Sequence, residues 1–104
     1  MLIVTTNVVP GRDIQEVIGL VQGSTVQTKH VGRDIGAGLK TLIGGEIKGY
    51  SDLMKEARNI ALERLTQEAQ NLGANAIVGM RYQTSQVMNS AAEVIAYGTA
   101  VVLR

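Results

Sequence analysis

The chain of 104 residues has no cysteine, no phenylalanine and no tryptophan. Without Cys there is no disulfide framework, no thiolate nucleophile and no thiolate metal site. The same absence is compatible with the cytosol, where the chain is expected to reside. Without Phe or Trp, any core must be built from Ile, Val, Leu, Ala and Met. An excess of one charge sign is also missing: ten Lys and Arg against nine Asp and Glu leave a net charge of +1. That is too little for the clustered cationic surface by which proteins grip nucleic acid. No apolar run approaches the ~18 residues needed to span a bilayer. Residues Met1–Thr6 lack the basic flank and long apolar run of a signal peptide. With one histidine, His30, and no serine in a nucleophile-elbow setting, the hydrolase triads have little to build on. The composition therefore points to a single domain over residues 1–104, with no nucleic-acid or membrane partner and no enzymatic activity.

The most legible stretch runs from Ser51 to Tyr82. Met54, Ala57, Ile60, Ala61, Leu65, Ala69 and Leu72 recur in steps of three and four, a stripe of period 3.6. The spacing predicts a helix over Ser51–Leu72, with Ser51 as N-cap, Asp52 favouring the positive end of the dipole and Gly73 as the stop. After a turn at Ala74-Asn75, a strand begins at Ala76. Alternation places Val78, Met80 and Tyr82 on one face and Ile77, Gly79, Arg81 and Gln83 on the other, with the strand half-buried under the helix.

The remaining chain divides in order. Leu2–Thr6 is a short β-branched strand. Pro10-Gly11 marks a turn. From about Glu16 to Thr28 the chain reads as a strand, with Gly19 and Gly23 as bulge or close-approach points. Ile35, Leu39, Leu42 and Ile43 sit at helical spacing, predicting a short helix that ends at Gly44-Gly45. Thr84–Ala91 is mostly polar and reads as a loop. Ala92–Arg104 forms a strand that is apolar or small on both faces. The chain has too little helix to cover both faces, so the second is expected to meet another subunit. The order gives an α+β fold in two layers, with an antiparallel or mixed sheet.

Candidate sites are sparse. The glycine-rich segment fails as a phosphate loop, because Leu39 precedes Lys40-Thr41 and no glycine completes a dinucleotide fingerprint after Gly36-Ala37-Gly38. To hold a metal, His30 would need partners such as Asp34 or Glu46, and one imidazole with hard carboxylates makes a weak, open site. A solvated loop histidine accounts for the same residue. Arg33 lies beside Asp34 as an ion pair or as part of a helix start. Arg81 stands among apolar residues, either as a charge on the solvent face or as an anion-binding donor at a subunit contact. Arg33, Arg81 and the neighbouring Tyr82 are the candidate ligand-binding residues.

Several blocks together resemble the YbjQ-like family of small bacterial and archaeal proteins. They are Thr5-Thr6, Gly11, Ile14, Leu20-Val21, Gly23, Arg33-Asp34, Gly44-Gly45, Ala57-Arg58, Ala61, Leu72–Gly79 and Gly98–Val101. The resemblance covers essentially the whole chain. It implies a dodecin-like subunit, a sheet packed by one long and one short helix, assembled into a homopentameric ring. It also carries the label of heavy-metal binding, without established catalytic residues. This chain departs where relatives carry Asp at the position of Asn75 and acidic residues at those of Arg81 and Gln83, which weakens a carried-over cation site. A soft ion prefers thiolate, so tight binding of a soft heavy metal is not expected. Met54 and Met80 fall on core faces, where Met fills gaps. Five copies of His30 meeting near a ring axis are the one remaining route to such a site.

Overall fold

In the computed structural model, which describes residues 1–28, 42–43, 46–88 and 91–104, one long helix lies on a four-stranded sheet. The strands are β1 (Leu2–Ile3), β2 (Ile14–Thr28), β5 (Ala76–Met88) and β6 (Ala91–Leu103), in the order β1-β5-β6-β2. β1 runs parallel to β5 and the other pairs are antiparallel, so the sheet is mixed. Two further strands, β3 (Leu42–Ile43) and β4 (Glu46–Ile47), pair with each other. The helix α1 spans Lys48–Asn71. This is the α+β architecture the sequence predicts.

α1 begins three residues before Ser51, so Ser51 lies inside the first turn and is not its cap. Asp52 falls past that turn, which holds no acidic residue. The C-terminal stop is as expected. Gly73 adopts φ +86°, and the amide of Ala74 donates to the Ala69 carbonyl at 3.0 Å, closing the helix end. Four stripe residues, Ala57, Ala61, Leu65 and Ala69, are fully buried. Ile60 is half-buried and Leu72 is exposed, because the chain has already left the helix there. The buried row is thus narrower than the predicted stripe and is built mainly of alanine.

Small residues let the helix sit close to the sheet. The face of the sheet beneath it carries Val21, Gly23 and Thr25 of β2 and Ala92, Val94, Ala96 and Ala100 of β6. At Gly23 a side chain has no room, since a Cβ would run into the Leu65 amide nitrogen and the Ala61 carbonyl oxygen and lie 2.8 Å from the Arg64 carbonyl carbon. The sequence expectation for Gly23 is met as a close approach. That for Gly19 is met as a bulge, the register shifting between Val17 and Gly19. The helix lies over β2 and β6 rather than over β5, which contributes Ile77 and Met80 to this core.

A second bulge corrects the face assignment in β5. Val78 pairs with Thr99 and Arg81 with Tyr97, so Gly79 and Met80 together oppose Gly98. Gly79 takes φ +62°, a left-handed conformation that glycine adopts without steric cost. Met80 consequently joins Ile77 on the helix side, while Ala76 and Val78 pack with Val101 and Leu103 on the other. That second cluster is closed by Val4 and Val9 of the same chain. The end of β6 expected to meet another subunit is therefore covered from within.

Two loop and helix expectations also change. Thr84–Met88 is strand, paired with β6 through Ser85↔Glu93, Gln86↔Ala92 and Met88↔Ala91. Its polarity reflects exposure on both faces, and its backbone is satisfied by the hairpin partner. Leu42–Ile43 is strand and not the last turn of a helix; the rest of that predicted helix lies outside the described residues. At the N-terminus only Leu2–Ile3 is strand. The backbone bonding to β5 nevertheless continues, from the Val4 amide to the Ile77 carbonyl at 2.9 Å and from the Gly79 amide to the Thr6 carbonyl at 2.8 Å.

Candidate functional site

The β5 bulge sets the position of Arg81. It turns the guanidinium onto the sheet face away from α1, opposite Tyr97, with Gln83 and Ser85 following on the same side by register. Arg81 Nη1 donates to the carbonyls of Thr5 and Met80, each at 2.8 Å. The first bond ties the N-terminal segment to the bulge. A guanidinium has five N–H donors, and among the described residues those on Nε and Nη2 have no partner. Arg81 is thus part structural anchor and part outward-facing cation. Tyr82 pairs with Ala96, so it points to the helix side and is separated from Arg81 by the thickness of the sheet. The aromatic neighbour of Arg81 is Tyr97, which sequence reading did not single out. The signal was available in the alternation of β6, which places Ile95, Tyr97 and Thr99 on one face.

His30, Arg33 and Asp34 lie outside the described residues. Among the described residues no three His, Cys, Asp or Glu side chains converge as a metal site. With no cysteine in the chain, its described residues do not supply the thiolate donors a soft heavy metal takes. Met80 is buried and Met54 partly so, both in the core under α1, as their spacing predicts. Met88 is exposed near the end of the β5–β6 hairpin.

Asn75 has a structural role. Its amide nitrogen donates to the Leu103 carbonyl at 2.9 Å and its side-chain oxygen accepts from the Leu103 amide at 2.7 Å. The side chain imitates a strand partner and clips the end of β6 to the turn after α1. A carboxylate has no N–H to make the first of these bonds, so the amide suits this position in this chain.

Two surface features remain. On the outer side of α1, Ile60, Glu63, Arg64 and Gln67 line an open depression of about 330 Å³. On the sheet face away from α1, Val17, Leu20 and Val26 are 63%, 70% and 52% exposed, beside half-buried Ile95 and Tyr97. Polar Gln22, Ser24 and Glu93 are interspersed with them on this face by register. No described helix is long and apolar enough to cross a membrane.

Comparison with known proteins gives a consistent picture. The YbjQ family model, described as "Putative heavy-metal-binding", matches residues 1–104. A "UPF0145 protein" of Halalkalibacterium halodurans is 62% identical over 101 residues, covering 97% of this chain and 95% of the relative. A "UPF0145 protein" of Thermotoga maritima is 57% identical over 103 residues, covering 99% and 97%. Among solved structures, a protein of unknown function from Pediococcus pentosaceus, assigned to the DUF74 family, superposes with a TM-score of 0.65. It is 21% identical and the match covers 100% of this chain and 98% of that one. That likeness establishes the shared fold.

Proposed function

The chain belongs to the YbjQ family, and we propose that it is the subunit of a homo-oligomeric binding protein, a dodecin-like ring of five copies, not an enzyme. The observation that carries this reading is the apolar sheet face formed by Val17, Leu20, Val26, Ile95 and Tyr97. Burying it between copies would remove large apolar side chains from water, at about 25 cal/mol per Å². The proposed ligand is a metal ion or a small anion held in the channel or between subunits. Arg81 lies on the same face, and its outward N–H groups suit an anion. For a metal, five copies of His30 near the axis would supply imidazole, which binds borderline ions without thiolate. We place the ring in the cytoplasm and take residues 1–104 as one domain.

Gel filtration with light scattering, followed by native mass spectrometry of protein purified without added metal, tests the proposal. The expected result is five times the 11.1 kDa subunit mass, with a bound metal ion or small anion. A monomer at micromolar concentration would overturn the assembly. An empty ring would overturn the binding role and leave that of an adaptor.

A further inference from the structure

β2 is an edge strand: β6 pairs with it on one side and, among the described residues, no strand lies on the other. An open edge presents a row of unpaired main-chain N–H and C=O groups, to which another strand can add. From Gly19 to Thr28 the register with β6 runs unbroken. In such a ladder, alternate residues turn both main-chain groups away from the partner. Leu20, Gln22, Ser24, Val26 and Thr28 form this outward set.

At the centre of that edge α1 reaches across. The Glu68 carboxylate accepts from the Gln22 amide at 3.1 Å, and Arg64 Nη1 donates to the Ser24 carbonyl at 2.7 Å. Arg64 and Glu68 stand four residues apart and share one flank of the helix. Between them they engage one donor and one acceptor, the two kinds of group an incoming strand must pair. Both bonds involve an ionised partner, which strengthens them. A strand adding here has to displace both side chains and to place its own backbone against a carboxylate and a guanidinium. The residues flanking the bonded pair, Leu20 and Val26, are largely exposed, so the edge without its bonds would be apolar and open.

We infer that Arg64 and Glu68 guard the edge of β2 against strand addition by a second copy of this chain. A copy is the occupant to be excluded, because among the described residues the molecule carries a second open edge of its own. β1 and residues 4–6 cover β5 only as far as Met80, and Tyr82–Met88 has no described strand on its outer side. Two different edges joining head to tail form a heterologous contact, which grows into an open filament when it does not close. The guard directs self-association away from that contact and toward the bare sheet face.

The Arg64→Ala/Glu68→Ala variant, compared with the parent at matched concentrations by gel filtration with light scattering, tests this. The parent is the reference whatever its subunit number, so the outcome is independent of the proposed ring. Neither residue belongs to the buried row of α1 and alanine favours helix, so circular dichroism should report an unchanged fold. The expected result is at least about a doubling of mean mass that rises with concentration. It should be reversed when Gln22→Pro is added, since proline removes an outward N–H and blocks pairing at an edge. The conservative pair Arg64→Lys/Glu68→Gln keeps a donor and an acceptor and should stay at the parent mass. A double-alanine variant with the parent mass at every concentration would overturn the inference. So would larger species that Gln22→Pro leaves unchanged. Should the double-alanine variant lose helix signal, Glu68→Ala alone carries the same expectations.

Discussion

The two faces of the sheet are built on opposite plans. Under α1 the strands offer Ala92, Ala96, Gly98, Ala100 and Gly23, and the helix answers with Ala57, Ala61 and Ala69. The bare face carries Val17, Leu20, Val26, Ile95 and Tyr97. Both faces carry large apolar side chains, but only the covered face also has a row of glycine and alanine at which helix and sheet meet. On the covered side, the backbones approach so closely at Gly23 that no side chain fits there, and Val21, Leu65, Ile77 and Val94 fill the space around that contact. On the bare side, Val17, Leu20 and Val26 stand exposed with little to fit against. A fold of this size tolerates change where nothing touches and resists it where backbones meet.

Four substitutions set the two faces against each other. Leu65→Asp should have the largest effect, since it places an unpaired charge in the fully buried row of α1. A loss of about 4 kcal/mol or more is expected, enough to unfold the chain. A parent-like thermal melt by circular dichroism would refute the placement of the helix. Gly23→Ala adds one methyl where the backbone of α1 already lies, and overpacking of this kind costs about 1–3 kcal/mol. A denaturant midpoint equal to the parent's would mean that the helix moves away freely. Asn75→Ala removes both bonds to Leu103 at the end of β6 and should cost about 1–2 kcal/mol, read by the same titration. Leu20→Ser on the bare face should change subunit unfolding by less than about 0.5 kcal/mol at low protein concentration, while weakening self-association measured by light scattering. A large loss of subunit stability there would break the comparison, because the bare face would then be holding the fold.

Most of the covered side was legible in the sequence. Alanines and leucines in steps of four, a glycine stop and two strand glycines each have a local physical cause that periodicity exposes. The helix start is not legible in the same way, because Ser51 has the chemistry of a cap whereas α1 extends back through Lys48–Tyr50. The polarity of Thr84–Met88 suggests a loop, because backbone pairing across a hairpin leaves no mark on side-chain polarity. The Gly79 bulge escaped because a spare residue in a strand looks like any glycine. Of the candidate site, Arg81 was picked out by its setting. Nothing local marks Arg64 and Glu68, since their partners Ser24 and Gln22 lie 40 and 46 residues away. Periodicity sees neighbours along an element and is blind to contacts that only the assembled sheet creates.

The bulge at Gly79 has a wider consequence for β5. Were the strand to pair one for one with β6 past Val78, Met80 would stand opposite Tyr97 and Arg81 opposite Ala96. The methionine would then lie on the bare side and the guanidinium beneath the helix, each where it is least tolerated. One residue of slack puts the two halves of the strand out of step. The inner half can follow the demands of a dry interior while the outer half answers to whatever meets its surface, and substitutions beyond the bulge need not be reconciled with packing before it.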